Sequence, residues 1–598
     1  MSDNILTTVD ELFKQHIFSI PNYQRSYAWE EEQLEVFIED LRHQLNAHKT
    51  TVADEKRKPY FMGTLLLHAK QNGDTECLSV DVVDGQQRLT TLLIFIATAL
   101  REVAEIEGRD FLTSHYIEHP EFEQKFKTIG KDNNCFRGSI LGIDIANEAP
   151  ESLSSQKLIF ARDYFRQNVK TEEWPEMVTQ LRNAEVLAYV IDNLSTATQI
   201  FEFQNDRGKK LTNLEAVKSF LMHNVHLNSK GASANKLESI HSHFESIFRD
   251  IEELAHYPRT PEEDSILSYH CAAFLPWTDA EYLQPKKLIK KQLNAIEEQD
   301  PKAIIDWINQ FITNLKQSYK NVLTIYKKMD EFTEFSHIVI LNRLAPFWPL
   351  LIKTYHEDGY SNKAHFKKAC HLMELFSLRA YGLANLRSNA GNSHLLWITK
   401  QFQTIQNDCV LDFKWLFEEL TNMCSWWGIP ERMNTNLQSP HFYNNSKASA
   451  LYILWRYENY LRSGNDNQNK WSKLSWRDIV MPKNHSEKLS LEHIAAQNNE
   501  QSTHLVSWNE SDEKSEFKDI ALHRLGNLVL DSISSNSSKQ DHDFDKKWQK
   551  LSASSTYLSQ GELKNYISPE SNTWDVYAIK NRQVKLTAFI EQHWGVKA

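Results

Sequence analysis

The sequence predicts a multidomain chain with an α+β head, a mainly α-helical middle and a mixed tail. Three observations carry this. At 598 residues the chain has room for several folding units of roughly 100–200 residues each. Up to about residue 225, turn signals alternate with short apolar runs; from there to about 460, Leu, Ile, Phe and Trp recur at the three- and four-residue spacing of helices that bury one face. Beyond the polar stretch Arg462–Lys470, short apolar segments again alternate with polar loops. The boundaries follow as 1–225, 226–460 and 461–598.

In the head, residues 60–83 read as two strands about Asn72-Gly73, a pair that tolerates the positive φ of a type I′ turn. The second strand runs into Asp84-Gly85-Gln86-Gln87-Arg88, and Leu89–Ala104 reads as a buried helix. A further strand, Val186–Ile191, precedes a helix around Thr196–Phe203 and a loop, Asn205–Lys210. Thr212 and Glu215 then form a capping box that opens another helix. Breaks near Pro258–Pro261, Pro276, Ser361-Asn362 and Arg387–Ser393 divide the helices of the middle, and the tail closes with a helix near Val576–Trp594.

Composition narrows the function. Hydrophobic residues make up 41% and charged residues 24%, the balance of a globular protein. A net charge of −12 excludes a general nucleic-acid coat, so any DNA binding must use local patches or a metal and must be salt-sensitive. The six cysteines never reach C-x-x-C spacing, which excludes a zinc ribbon or thioredoxin-type site and suits a reducing cytoplasm. No basic, cleavable leader opens the chain, so no secretory signal is expected. The longest apolar run, Leu89–Leu100, falls short of the ~20 residues that span a bilayer. A cytoplasmic protein without a membrane partner is expected.

Two segments carry chemistry. Asp84–Arg88 has the parts of an anion site: a glycine at a strand-to-helix turn, unpaired N–H groups at a helix start, the Arg88 fork, and Asp84 to hold Mg²⁺ or orient a water. A plain turn with Arg88 paired on the surface would use the same residues. In the tail, Leu489–Ile494 reads as a short strand ending in an acid–His pair, and Arg524–Leu530 as a strand entered through Gly526. Asn536 follows nine residues after Asn527, ahead of a helix holding Phe544, Lys546 and Lys547. Metal-dependent phosphodiester cleavage needs a base, a hard cation and side chains that hold both. His523 and His542 are taken as loop or surface residues.

The run Ile20-Pro21-x-Tyr23-Gln24-Arg25-x-Tyr27-x-Trp29, the Phe61-x-Gly63 strand, the Asp84–Leu92 segment and Asn205–Lys218 occur in this order. Together they resemble the ParB-like DGQQR domain of GmrSD-type, type IV (modification-dependent) restriction enzymes, over roughly residues 8–225. The tail resembles the ββα-metal, HNH-type (His-Asn-Asn) nuclease domain of the same group, although Ala496 stands where that group has proline. The resemblance implies a nucleotide-binding and nucleotide-hydrolysing head using Asp84, Gly85, Gln86, Gln87 and Arg88, with Gln24, Arg25, Asn205, Arg207 and Lys218 lining the cleft. It implies His493 as general base, and Glu492 and Asn536 as ligands of Mg²⁺ or Mn²⁺. Asn527 would orient His493 or brace the hairpin, and Lys547 would contact phosphate.

The expected activity is a nucleotide-dependent, modification-dependent DNA endonuclease in antiphage defence, with a nucleoside triphosphate, a divalent cation and double-stranded, modified phage DNA as partners. Two other readings stand beside it: a nucleotide-gated DNA sensor with a degenerate nuclease domain, and a toxin-like nuclease acting on host nucleic acid. In the middle, Lys286, Lys287, Lys290 and Lys291 share one helix face, which suits either phosphate tracking or solvation. The Phe347-Trp348 and Trp426-Trp427 pairs read as core or interface, and a homodimer is open.

Overall fold

The computed structural model describes the chain apart from residues 1–3, 22–23, 25, 51–59, 71–76, 104–105, 119–122, 131, 144–151, 192–211, 229–232, 279, 301–302, 405–411, 465–470, 499, 536–543, 555, 568–572 and 596–598. The chain is mixed α/β and mostly helical. It forms two compact units, Met1–Ser246 with Ile289–Thr313, and Ile247–Leu288 with Asn314–Ala598. Among the described residues, no helix is long and apolar enough to cross a membrane.

The first unit is built on strands β1 (Asn4–Thr8), β2 (His16–Ser19), β3 (Phe61–Ala69), β4 (Leu78–Asp84), β5 (Phe126–Lys127) and β6 (Glu185–Ile191). They form one mixed sheet in the order β1-β6-β3-β4-β2-β5. The predicted hairpin strands β3 and β4 pair antiparallel; their turn, Asn72-Gly73, lies outside the described residues. β6 joins β3 in parallel, and β1 closes that edge antiparallel to β6. Helix α1 (Gln86–Glu102) follows β4 directly and is apolar on nearly every face, so it fills the core beneath the sheet instead of lying on the surface. Phe95 of α1 meets Trp174 at 4.7 Å and Phe165 at 5.2 Å between ring centroids. Helix α2 (Asn213–Asn228) opens with the predicted capping box: Glu215 N donates to Thr212 Oγ1 at 3.2 Å and Thr212 N to Glu215 Oε2 at 3.1 Å. The helix expected at 196–203 lies outside the described residues.

In the second unit, helices α3 (Glu263–Phe274), α4 (Thr333–Leu341), α5 (Ala364–Phe376) and α6 (Phe442–Ser463) lead to strand β7 (Leu489–His493). Strand β8 (Leu528–Ser532) pairs antiparallel with β7, placing Leu528 opposite His493 and Val529 opposite Glu492. Helices α7 (Phe544–Ser554) and α8 (Val576–Trp594) complete the tail, the last with the predicted bounds. Residues 314–460 of the helical middle thus share one compact unit with the tail. A small core of Ile494, Val529, Phe544, Trp574, Ala578 and Ile579 holds β7, β8, α7 and α8 together.

Candidate active site

The tail residues singled out by sequence converge at the end of the β7–β8 pair. Here the chain approaches α8 so closely that only glycine fits: a Cβ on Gly526 would lie 2.2 Å from the carbonyl oxygen of Ile579. The wholly buried Arg582 of α8 fixes the same turn by donating to the carbonyls of Gly526 and Leu528. Asn527, fully buried, accepts from Ala495 N and Trp574 Nε1, both at 2.9 Å, and donates to Leu522 O at 2.8 Å. Its side chain therefore ties the loop after His493 to the loop before β8, and its backbone carbonyl accepts from Ile494 N at 2.9 Å. Of the two roles expected for Asn527, this geometry is that of a brace.

His493 ends β7 and is 4% exposed. Its Nε2 lies 3.1 Å from His523 Nδ1, and Gln497 Nε2 lies 2.5 Å from its Nδ1. With the Gln497 amide donating, the neutral His493 ring carries its proton on Nε2 and donates it to His523; turning the amide over reverses both bonds. Burial, then His523, Lys547 and Lys447, push the His493 pKa down to about 3. The ring is thus neutral at ordinary pH, the form a general base requires. Tyr443 packs edge-on to His493 at 4.6 Å and parallel to His523 at 5.8 Å, and its N–H donates to the His523 carbonyl.

Glu492, also buried, takes Lys547 Nζ on Oε1 at 2.6 Å, and the same ammonium donates to the His493 carbonyl at 2.7 Å. Lys547 is 1% exposed, so this side chain links α7 to the end of β7. Asn536 and His542 lie outside the described residues. Among the described residues, no group of three His, Cys, Asp or Glu side chains is placed to hold a metal.

In the head, the Asp84–Arg88 residues gather at the junction of β3, β4 and α1. Gly85 precedes α1 with φ +90°. Arg88 directs its fork to two backbone carbonyls of β3, Met62 O at 2.9 Å and Thr64 O at 2.8 Å, with Asp84 Oδ2 at 3.8 Å. This explains the glycine between them: Gly63 has φ +101°, and a Cβ there would lie 1.9 Å from Arg88 Nη1. Gln24 donates to Val83 O at 2.6 Å, and Gln87 holds the 26–28 segment through Ser26 O and Ala28 N. Gln86 Oε1 is buried without a partner. Lys218 is 3% exposed beside the Phe244 ring, and burial lowers its pKa to about 8. Arg25, Asn205 and Arg207 lie outside the described residues.

Sequence reasoning missed three participants. His523, taken as a loop or surface residue, is half-buried against His493. Tyr443 and Gln497 carried no motif, and only the position of Gln497 four residues after His493 hinted at contact.

Two family models match the chain: the N-terminal domain of the GmrSD restriction endonuclease over residues 9–222, and the C-terminal domain of GmrSD restriction endonucleases over residues 430–589. No curated protein matches it. The C-terminal match encloses His493, Asn527, Lys547 and His523, and the N-terminal match encloses the Asp84–Arg88 junction. The two matches together cover well over half of the sequence, and the chain belongs to the GmrSD-like type IV restriction endonuclease family.

Proposed function

We propose that this chain is a divalent-metal-dependent, nucleotide-dependent endonuclease that cuts modified DNA of invading phage, with His493 as its general base. Family membership makes it a restriction nuclease acting on DNA. The finer reading rests above all on one observation: a buried histidine at the end of β7, next in sequence to a carboxylate and followed by a loop that Asn527 from the entry turn of β8 anchors.

The nitrogen suited to take a proton from water is His493 Nδ1, because Gln497 has only to rotate away to release it, whereas Nε2 is held against His523. His523 keeps the ring oriented while Asn527 keeps the following loop from drifting. Glu492 and Asn536 would hold Mg²⁺ or Mn²⁺, since carboxylate and amide oxygens are the donors that hard cations prefer. Lys547 already holds Glu492 Oε1 at 2.6 Å, so a cation bound there would have to share this carboxylate with the ammonium or displace it. A Mg²⁺ ion needs only one or two protein oxygens beside phosphate and water. When bound, the cation supplies a Lewis acid that offsets charge building on the scissile phosphate. In the head, the start of α1 offers the unpaired N–H groups that receive a triphosphate, and Gln24, Gln87 and Arg88 keep its surroundings rigid.

The test is purified full chain with plasmid and phage genomic DNA of differing base and backbone chemistry, with Mg²⁺, with and without nucleoside triphosphate. Cleavage of a modified substrate that needs both additions is expected; inert behaviour on every substrate would end the proposal. One observation favours a second reading. The Lys547–Glu492 pair is also what a degenerate, metal-free site contains, as in a nucleotide-gated DNA sensor. Calorimetry with Mn²⁺ separates the two, since the sensor would take up none at this site.

A further inference from the structure

The resemblance named Lys547 as the phosphate contact of the nuclease site, and the structure commits that side chain to the interior. Lys547 is 1% exposed, and its ammonium donates to Glu492 Oε1 at 2.6 Å and to the His493 carbonyl at 2.7 Å. Seating a DNA strand beside His493 calls for a different cation, because a chain of net charge −12 attracts phosphate only through local positive charge.

The start of α6 carries such a cation. The helix breaks at Ser446, whose φ of −142° and ψ of 36° are not helical. Three hydrogen bonds pin the break. Ser446 Oγ donates to Gly382 O at 3.0 Å and accepts from Asn436 Nδ2 at 2.9 Å, and Asn445 Nδ2 donates to Asn436 Oδ1 at 3.3 Å. The turn before the break holds Tyr443, whose N–H donates to the His523 carbonyl at 2.9 Å and whose ring packs edge-on to His493 at 4.6 Å. Directly after the break comes Lys447, with Nζ 5.2 Å from the centre of the Tyr443 ring. One aromatic ring thus contacts the general base and also carries an ammonium. The charge of Lys447 reaches His493, whose pKa it helps to lower. Unlike Lys547, Lys447 is exposed, and among the described residues no carboxylate pairs with it.

We propose that Lys447, and not Lys547, holds a backbone phosphate of the DNA strand next to the scissile bond, with Tyr443 setting the distance between that ammonium and His493. The proposal rests on the reading of His493 as general base and adds the residue that seats its substrate. A lysine acts here as a point charge, so it holds the phosphate of any nucleotide and positions the strand without reading its sequence.

Fluorescence anisotropy tests this with the full chain in EDTA and a labelled, unmodified duplex of about 20 base pairs, titrated between about 50 and 200 mM NaCl. Lys447→Ala should weaken binding severalfold at the lowest salt and reduce the slope of log affinity against log salt by about 0.9, the value for one phosphate. Lys447→Arg should restore both. The side chain is exposed, so neither substitution disturbs the core. Lys414, exposed and 4.0 Å from Glu418, controls for net charge: Lys414→Ala should change neither quantity. Unchanged affinity and slope in Lys447→Ala, equal losses in Lys414→Ala, or no measurable binding of the duplex overturns the proposal. These readouts involve no turnover, so their failure leaves His493 as general base untouched, whereas an active His493→Ala would remove that role and leave the Lys447 contact measurable.

Discussion

Gly63→Ala should disable the head without touching any residue of the Asp84–Arg88 segment. The new Cβ would lie 1.9 Å from Arg88 Nη1, so the guanidinium must leave Met62 O and Thr64 O. A hydrogen bond from a charged donor contributes about 1.5–3 kcal/mol. Because Arg88 is about one-third exposed, the lower end applies, about 3 kcal/mol for the two bonds. Alanine at φ +101° adds backbone strain of about 1–2 kcal/mol, for a total near ~4 kcal/mol. A chain of two units does not unfold in one step, so the readout is native-state hydrogen exchange at the amides of β3 and α1. In an Arg88→Met background the same substitution should cost only the strain, leaving a coupling of about 2–3 kcal/mol between the two positions. Additive costs in that cycle would show that the Arg88 fork does not rest over Gly63 and would refute the reasoning.

Other outcomes follow from the second unit. Lys547→Met leaves the buried Glu492 carboxylate without its counter-charge and should cost about 3–5 kcal/mol, read as faster exchange at β7. Asn527→Ala strands Ala495 N, Trp574 Nε1 and Leu522 O; at about 1 kcal/mol or more for each stranded group, it should lower stability by roughly 3 kcal/mol and abolish cleavage. His270 of α3 is buried against Ser318, and burial, then His356, depresses its pKa from 6.5 to about 3. Below pH 6.5 the unfolded chain therefore binds more protons than the folded one, so this contribution is complete above pH 6.5 and falls as the pH drops toward 3. At pH 5 the loss is about 2 kcal/mol; His270→Gln should flatten that part of the pH–stability curve, and an unchanged slope would contradict it.

The legible parts of this chain were those whose signals are local. Twelve consecutive apolar or small residues made Leu89–Leu100 a buried helix, Thr212 and Glu215 made a helix start, and the apolar run Leu528–Leu530 behind Gly526 made a strand. The order strand, strand, helix around His493, Asn527 and Phe544 could be read for the same reason. Long-range partnership was not legible. Nothing near Arg88 announces that its fork reaches carbonyls about two dozen positions earlier, although Gly63 records the fact once the contact is known. Nor does any spacing tie His523 to His493, since the stretch between them folds into a small strand pair and a helical turn whose lengths set no register. The sheet order, with β6 between β1 and β3, depends on pairing β1 with β6 across more than 170 residues, and no turn motif encodes it.

The central claim is that His493 removes the proton from the attacking water. Single-turnover cleavage of a susceptible DNA by wild type and His493→Ala, with folding checked by circular dichroism, tests it most directly. The account predicts a loss of about 10²–10⁴-fold, with Mn²⁺ binding retained. A variant that cleaves within threefold of wild type would contradict it.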